Sequence, residues 1–353
     1  MSAKKDQIMF EEIKNKIDVE LGAFAKNMDK LYSLNKISPL IANNIKNFIL
    51  RDGKRARPIL FIIGYLGFSK RTAPGLYRSA LSIELLHDFM LVHDDIIDKS
   101  DTRRGKPSMH KMFNNYLSKF KELKFNGQDL SIVVGDVMYA MAIDTFLSIR
   151  EDPRRKEKAL KKFIEAAMFT GSGEFIELVY GIKDISKFSR EDIYKIYKYK
   201  TAHYTFACPL SIGAILAGAS DKEIQKISQY GAYLGNAFQI KDDILGMFEE
   251  ENKTGKSALA DLQEAKKTIL IWHAYNHADN KNKNRIKTIM SKEKITESDL
   301  KEMRCIIKNS GAVEFAKKEI ALMLNKALIL IKSSAMKPKY KDFLYNFSGK
   351  ILS

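Results

Sequence analysis

The sequence predicts a single all-α domain, and three observations carry that expectation. Proline occurs only seven times in 353 residues. Strand-like alternation is scarce, and no Gly/Ser/Pro-rich linker divides the chain. Several long segments are apolar on more than one face, as in the centre of a large helical bundle.

In chain order, helices are expected first near 7–31 and 38–50. The next, 54–67, opens on the basic turn RDGKRARP, and 73–98 ends in an acidic cluster, LVHDDIID. After the polar loop KSDTRRGKPS comes 109–119. The segment 130–150 holds SIVVGDVMYAMAIDTFLSI, whose Asp136 and Asp144 make it a poor membrane span. Helices near 156–182, 190–199 and 200–218 follow, the last two meeting at the lysine- and tyrosine-rich YKIYKYKTAHYTF. The helix at 221–249 carries a second acidic pair, and 263–279, 298–308, 311–334 and 340–351 complete the set.

Bulk properties narrow the function classes. With 45% hydrophobic residues the chain can bury a large core. A formal charge of +17 suits an anionic partner, namely a nucleic acid, an acidic membrane surface or a phosphorylated substrate. Only Cys208 and Cys305 are present, with neither metal-ligand nor disulfide spacing, which favours a reducing compartment. The segment MSAKKDQIMFEE lacks an apolar signal core. A cytoplasmic protein without a transmembrane segment is expected.

The two acidic clusters are the most informative feature. Asp94, Asp95 and Asp98 interrupt one apolar helix, and Asp242 and Asp243 interrupt another. Buried carboxylates are costly unless a proton, a cation or a metal compensates them. Glu84, His87, Leu91, Asp94 or Asp95, and Asp98 follow three- and four-residue steps, which align them as one helical stripe. Asp94 and Asp98 can both reach one Mg²⁺, an ion that combines carboxylates with phosphate oxygens and water. Asp95 lies about 100° round the helix, placed to bind through water or to orient a neighbour. The alternative, an exposed acidic last turn, opposes the helix dipole. Gln239, Asp242 and Asp243 likewise share a face. Together the clusters suggest facing acidic walls that hold divalent ions around a diphosphate.

Basic groups accompany both. Arg103 and Arg104 lie in the loop after the first cluster, where guanidinium can bind phosphate bidentately. Lys54, Arg55 and Arg57 follow Gly53 at a helix start, a setting that attracts anions. His87 is either a phosphate donor or a satisfied core histidine, and His93 reads as structural. Lys200-Thr201 supplies another candidate phosphate ligand, and Lys253 and Lys256 follow the second cluster. Thr254-Gly255-Lys256-Ser257 mimics the end of a P-loop, but Glu250 stands where that motif needs glycine.

These residues resemble the trans-isoprenyl diphosphate synthases. The resemblance rests on DDIID at 94–98 followed by Arg103-Arg104-Gly105, and on FQIKDD at 238–243. GKRARP at 53–58, Glu84 with His87, GDVM at 135–138, Lys200-Thr201-Ala202, Lys256 and DLQEAKKT at 261–268 extend it in order. It implies the isoprenoid synthase fold, a helical bundle around a deep central cavity, and a homodimer. The implied reaction is Mg²⁺-dependent head-to-tail condensation of isopentenyl diphosphate with an allylic diphosphate. Asp94, Asp95 and Asp98, with Asp242 and Asp243, would form the metal sites for about three Mg²⁺ ions. Arg103, Lys200 and Lys256 would hold the allylic diphosphate. Gly53, Lys54, Arg57, His87 and Arg104 would bind isopentenyl diphosphate, and Thr201 and Gln239 would flank the allylic cation.

Three positions depart from the family pattern: Gly246 replaces a third aspartate, Glu174 replaces glutamine after Gly173, and Ala265 replaces glycine. The resemblance associates an aromatic at Phe89, five residues before Asp94, with short products. Phe89 beside the flexible Met90 points to a C20 product, geranylgeranyl diphosphate, with C15 farnesyl or a longer chain as alternatives. Core packing is the plain alternative for Phe89. A non-catalytic partner subunit would not need the intact acidic and basic sets. A nucleic-acid-binding protein would explain the charge but not the acids, and a terpene cyclase would not need the Lys54/Arg57/His87 group.

Overall fold

The computed structural model of the protein describes residues 2–248 and 262–352. Among these the all-α expectation is borne out, and the one pair of strands is a short hairpin. The chain forms two compact units, residues 1–160 with 212–218 and residues 161–211 with 219–353.

In the first unit α1 (Ser2–Tyr32) packs on α3 (Pro39–Ile49), α4 (Ala56–Phe68) and α5 (Leu76–Ile97), and the short α2 (Leu34–Ile37) joins α1 to α3. After the hairpin strands β1 (Thr102–Arg103) and β2 (Lys106–Pro107) come α6 (Met109–Leu117) and α7 (Gly127–Phe146). The most extensive packing in this unit is that of α5 on α7. Phe24, Phe48, Phe61, Tyr65, Phe113 and Phe146 fill the core. Such rings each remove a large apolar area from water, the main favourable term in folding.

The chain then runs through α8 (Pro153–Gly181), α9 (Arg190–Ile196), a π-helical segment (Tyr197–Ala207) and α10 (Cys208–Leu216). Gly213 in the last turns of α10 lies so close to α4 that a Cβ would sit 2.5 Å from the Tyr65 nitrogen. In the second unit α11 (Asp221–Phe248) packs against the π-helical segment and against α15 (Ala312–Lys332). Around them lie α12 (Ile269–His277), α13 (Asn280–Met290), α14 (Glu297–Asn309) and α16 (Pro338–Leu352). Their shared core includes Ile240, Ile269, Leu270, Met303 and Ile307.

Boundaries shift where local chemistry overrides periodicity. The helix expected at 73–98 starts at Leu76, because Gly75 takes φ 81. That expected at 130–150 starts at Gly127, where Asn126 and Asp129 form a capping box. The segment expected as an α-helix at 200–218 is π-helical up to Ala207. Helix α13 was not anticipated: it is polar nearly throughout and buries only Ile286 and Ile289, with Asp279 capping its start.

Candidate active site

The first acidic cluster ends α5. Asp98 is its C-cap, and its backbone nitrogen donates to the Asp94 carbonyl at 2.8 Å. Asp94 and Asp98, one turn apart, are both partly exposed, whereas Asp95 is fully buried. Three carboxylates at a helix C-terminus repel the dipole and one another, so a cation is required nearby. Arg103 is that cation. Its Nε donates to Asp95 Oδ1 at 2.7 Å, a second nitrogen also bonds Asp95, and Asp94 lies 3.4 Å away. Burial lowers the proton affinity of Arg103, but Asp95, Asp94 and Asp98 outweigh it and hold the pKa above the ordinary value.

A tight turn delivers this arginine. β1 pairs antiparallel with β2, Arg103 opposite Lys106, and the turn residues Arg104 and Gly105 have φ 53 and φ 70. Two positive φ values at a two-residue hairpin loop are the pattern of a type I′ turn. Arg51 fixes the hairpin by donating to the carbonyls of Arg103 at 3.2 Å and Pro107 at 2.9 Å, while lying over the Phe48 ring.

Deeper along α5 lies a network of opposite charges. Arg55 donates to Asp18 at 2.9 Å and to Glu84 at 2.8 Å. Arg104 approaches Glu84 at 3.7 Å and Asp88 at 3.6 Å. Asp88 is completely buried, and burial first, then the Glu84 charge, raises its pKa far above 3.8. Burial, then the charges of Arg57, Arg104, Arg103 and Arg55, holds His87 well below 6.5, so its ring is neutral near pH 7. Gly53 belongs to this group for a steric reason: a Cβ there would meet Arg55 at 3.1 Å and Arg104 at 3.4 Å. Arg57 is half-buried in the first turn of α4, and Lys54 is exposed. Arg55, Lys99 and Arg104, at φ 50, 52 and 53, all hold left-handed backbone that L-residues adopt only at a cost.

Phe89 is partly exposed on α5, as is Met90. Its ring stacks on Tyr139 of α7 at 5.1 Å and meets His93 edge-on at 4.8 Å. His93 in turn lies against Gly135, where any side chain would strike its ring, and bonds the Ile132 carbonyl at 3.2 Å. GDVM thus opens the space into which His93 packs, which agrees with the structural reading of that histidine.

The second acidic cluster sits on α11 beside the π-helical segment. Thr201 donates to Gln239 at 2.7 Å, Gln239 donates to Asp243 at 3.1 Å, and the Tyr197 hydroxyl donates to Asp243. Tyr197 oxygen also accepts from the Ile269 nitrogen at 2.8 Å, which ties the relay to the start of α12. Burial, then the Asp243 charge, drives the Tyr197 pKa well above 10. Asp242 is exposed. Lys200 makes ion pairs with Glu174, at 2.7 Å, and with Glu177.

Three glycines let neighbouring helices approach this wide segment. A Cβ on Gly173 would lie 2.5 Å from the Lys200 nitrogen, and one on Gly231 would lie 2.5 Å from the Ala207 Cα. One on Gly235 would collide with Ala202. π-Helical turns are rare and gather at functional sites, and here the segment contains Lys200 and Thr201.

Ala265, in place of the family's glycine, has φ 51. The left-handed bend is therefore kept without the residue that adopts it freely. Lys256 and the sequence 254–257 lie outside the described residues. Asp88, Asp18, Glu177 and Tyr197 were not identified from sequence. Asp88 carried a signal, since it stands one turn from Glu84 on the acidic helix.

The chain is similar to known proteins over most of its length. Residues 38–307 match the polyprenyl synthetase family model. A short chain isoprenyl diphosphate synthase of Methanocaldococcus jannaschii is 30% identical over 86% of this chain and 84% of its own. A geranylgeranyl diphosphate synthase of Saccharolobus solfataricus is 28% identical over 99% of this chain and 98% of its own. A crystal structure of geranylgeranyl pyrophosphate synthase from Corynebacterium glutamicum, complexed with isoprenyl diphosphate and magnesium, superposes with a TM-score of 0.84 at 25% identity, covering 98% of both chains.

Proposed function

The chain belongs to the polyprenyl synthetase family, and from that premise we infer that it is a prenyltransferase joining isopentenyl diphosphate to an allylic diphosphate, with geranylgeranyl diphosphate as product. The observation that carries the reading is the acidic end of α5, with Asp94 and Asp98 half-exposed and Arg103 fixed beside them on buried Asp95. The donor set is carboxylate oxygen, which suits Mg²⁺.

In this reading Asp94 and Asp98 hold Mg²⁺ with the allylic diphosphate, Asp242 contributes to a further ion, and Asp95 and Asp243 orient Arg103 and Gln239. Bound Mg²⁺ supplies charge stabilisation for the departing diphosphate. Arg103, Lys200 and Lys256 neutralise the same group as the allylic C–O bond breaks. Gly53, Lys54, Arg57, His87 and Arg104 hold isopentenyl diphosphate so that its π-bond is aligned with the electron-poor carbon. The new C–C bond forms, and the released diphosphate removes the proton that restores a double bond. Thr201 and Gln239 present oxygen atoms toward the positive charge. A homodimer is expected, and no helix among the described residues is long and apolar enough to cross a membrane.

Labelled isopentenyl diphosphate, incubated with C5, C10 or C15 allylic primers and Mg²⁺, tests the proposal by chromatography of the dephosphorylated products. A C20 alcohol from the protein alone supports it. No condensation by the isolated protein would instead favour the partner-subunit reading, and a dominant product of another length would overturn the C20 assignment.

A further inference from the structure

Condensation at the acidic helices accounts for the carboxylates but leaves unexplained both the excess of basic residues and a hydrophobic surface loop. Between α6 and α7 the chain reads YLSKFKELKFN over residues 116–126. Phe120 is 52% exposed, Phe125 47%, Tyr116 41% and Leu123 40%. Lys119, Lys121 and Lys124 are exposed between them.

The loop is well held at its base. Asn114 accepts from the Gly127 nitrogen at 2.7 Å, and a Cβ on Gly127 would fall 2.6 Å from Asn114 Oδ1. Phe120 nitrogen donates to the Leu117 carbonyl at 2.9 Å, and Asn126 caps α7. Tyr116 and Phe120 touch, ring centroids 5.6 Å apart. Even so, four large apolar side chains remain in water within ten residues. Large apolar side chains exposed together in so short a segment mark an interaction site.

We propose that residues 116–126 form a docking surface for an anionic lipid bilayer. Rings and Leu123 enter the interfacial layer, where aromatic side chains with a wet rim are favoured, while the interleaved lysines reach the headgroup phosphates. A second copy of the chain fits less well, because a two-fold contact would gather the three lysines of each loop in one interface with only Glu122 of each to offset them. A nucleic acid fits less well because Leu123 offers no stacking face. A lipid surface accounts for both the lysines and the apolar side chains of this loop.

Full-length protein is floated with vesicles of phosphatidylcholine alone, or with about 30 mol% phosphatidylglycerol, at low and high salt. Binding is expected on the anionic vesicles, weakened by salt, and roughly tenfold lower on neutral ones. The double variant Phe120→Ser/Phe125→Ser and the triple variant Lys119→Gln/Lys121→Gln/Lys124→Gln should each lower the bound fraction about fivefold or more. Both should keep wild-type condensation rates in solution, which shows that they fold. The proposal is overturned if wild type ignores anionic vesicles, or if the variants bind as well. It is equally overturned if Phe120→Ser/Phe125→Ser changes the particle mass, or if single-stranded oligonucleotide displaces the vesicles.

Discussion

Lys200 Nζ lies 2.7 Å from the Glu174 carboxylate and makes a second ion pair with Glu177. The proposed diphosphate ligand is thus held by two acids of α8, one of which stands where the family pattern has glutamine. Glu174→Gln removes one competitor for the lysine. A partly exposed pair of this kind contributes roughly 0.5–1 kcal/mol. The KM for the allylic diphosphate should fall about two- to fivefold with kcat within about twofold. Steady-state kinetics decide this, and a higher KM would show that Glu174 assists binding.

Asp94 and Asp95 are adjacent yet should differ in how much stability an amide substitution costs. Asp95→Asn breaks a buried ion pair with Arg103, so unfolding free energy should drop by about 2–4 kcal/mol and kcat on the order of a hundredfold. Asp94→Asn, at a half-exposed position, should cost under about 0.5 kcal/mol while losing comparable activity. Urea titration beside turnover measurements separates the two, and equal stability losses would refute the division of roles.

Phe89 stacks on Tyr139 and is partly exposed. Phe89→Ala removes that ring and should shift products beyond C20, with a stability loss of about 2 kcal/mol from the lost packing. Chromatography of the alcohols checks it, and an unchanged product distribution would show that Phe89 only packs.

Asp88 and His87 on α5 predict a pH effect. Asp88 has a folded pKa raised above 3.8, so its protonated form stabilises the fold at low pH, and this is lost as pH rises through the folded value. His87 is depressed below 6.5, so its contribution is present above that pH and lost as pH falls. Asp88→Asn mimics the neutral acid and removes only the first effect. Its unfolding free energy relative to wild type should therefore increase from about pH 5 to about pH 8. A difference that shrinks over that interval would contradict a raised Asp88.

Ala265 occupies a left-handed bend at φ 51. That conformation costs an L-residue about 1–2 kcal/mol, partly offset because glycine loses more freedom on folding. Ala265→Gly should therefore stabilise by about 0.5–1 kcal/mol with unchanged activity, as read by denaturant midpoint.

The acidic stripe on α5 could be read from sequence because carboxylates at three- and four-residue steps in an apolar helix have few structural excuses. Other features could not. The turn that carries Arg104 uses Arg-Gly where Asn-Gly would have announced a hairpin. The π-helical segment has an ordinary apolar pattern, and the close approaches at Gly173, Gly231 and Gly235 that accommodate it are visible only in the fold. Helix α13 offers only one short i, i+3, i+4 set, Ile286, Ile289 and Met290, in an otherwise polar segment, and the Asp18–Arg55–Glu84 network joins residues far apart in the chain. Capping boxes at Asn126, Ser189 and Thr296 were available signals that periodicity alone passes over.

The left-handed backbone at Arg55, Lys99 and Arg104 has an evolutionary consequence. Glycine would relax the backbone at each, but at Arg55 it would strip Asp18 and buried Glu84 of their partner and at Arg104 it would remove the cation facing Glu84 and Asp88, so a gain against heat is expected at Lys99 alone, with the loss of a positive charge beside the acidic end of α5. Selection for thermal endurance and selection for turnover therefore pull that one codon in opposite directions. A library screened only for survival on heating should drift toward glycine at position 99, and one screened for remaining catalysis should not.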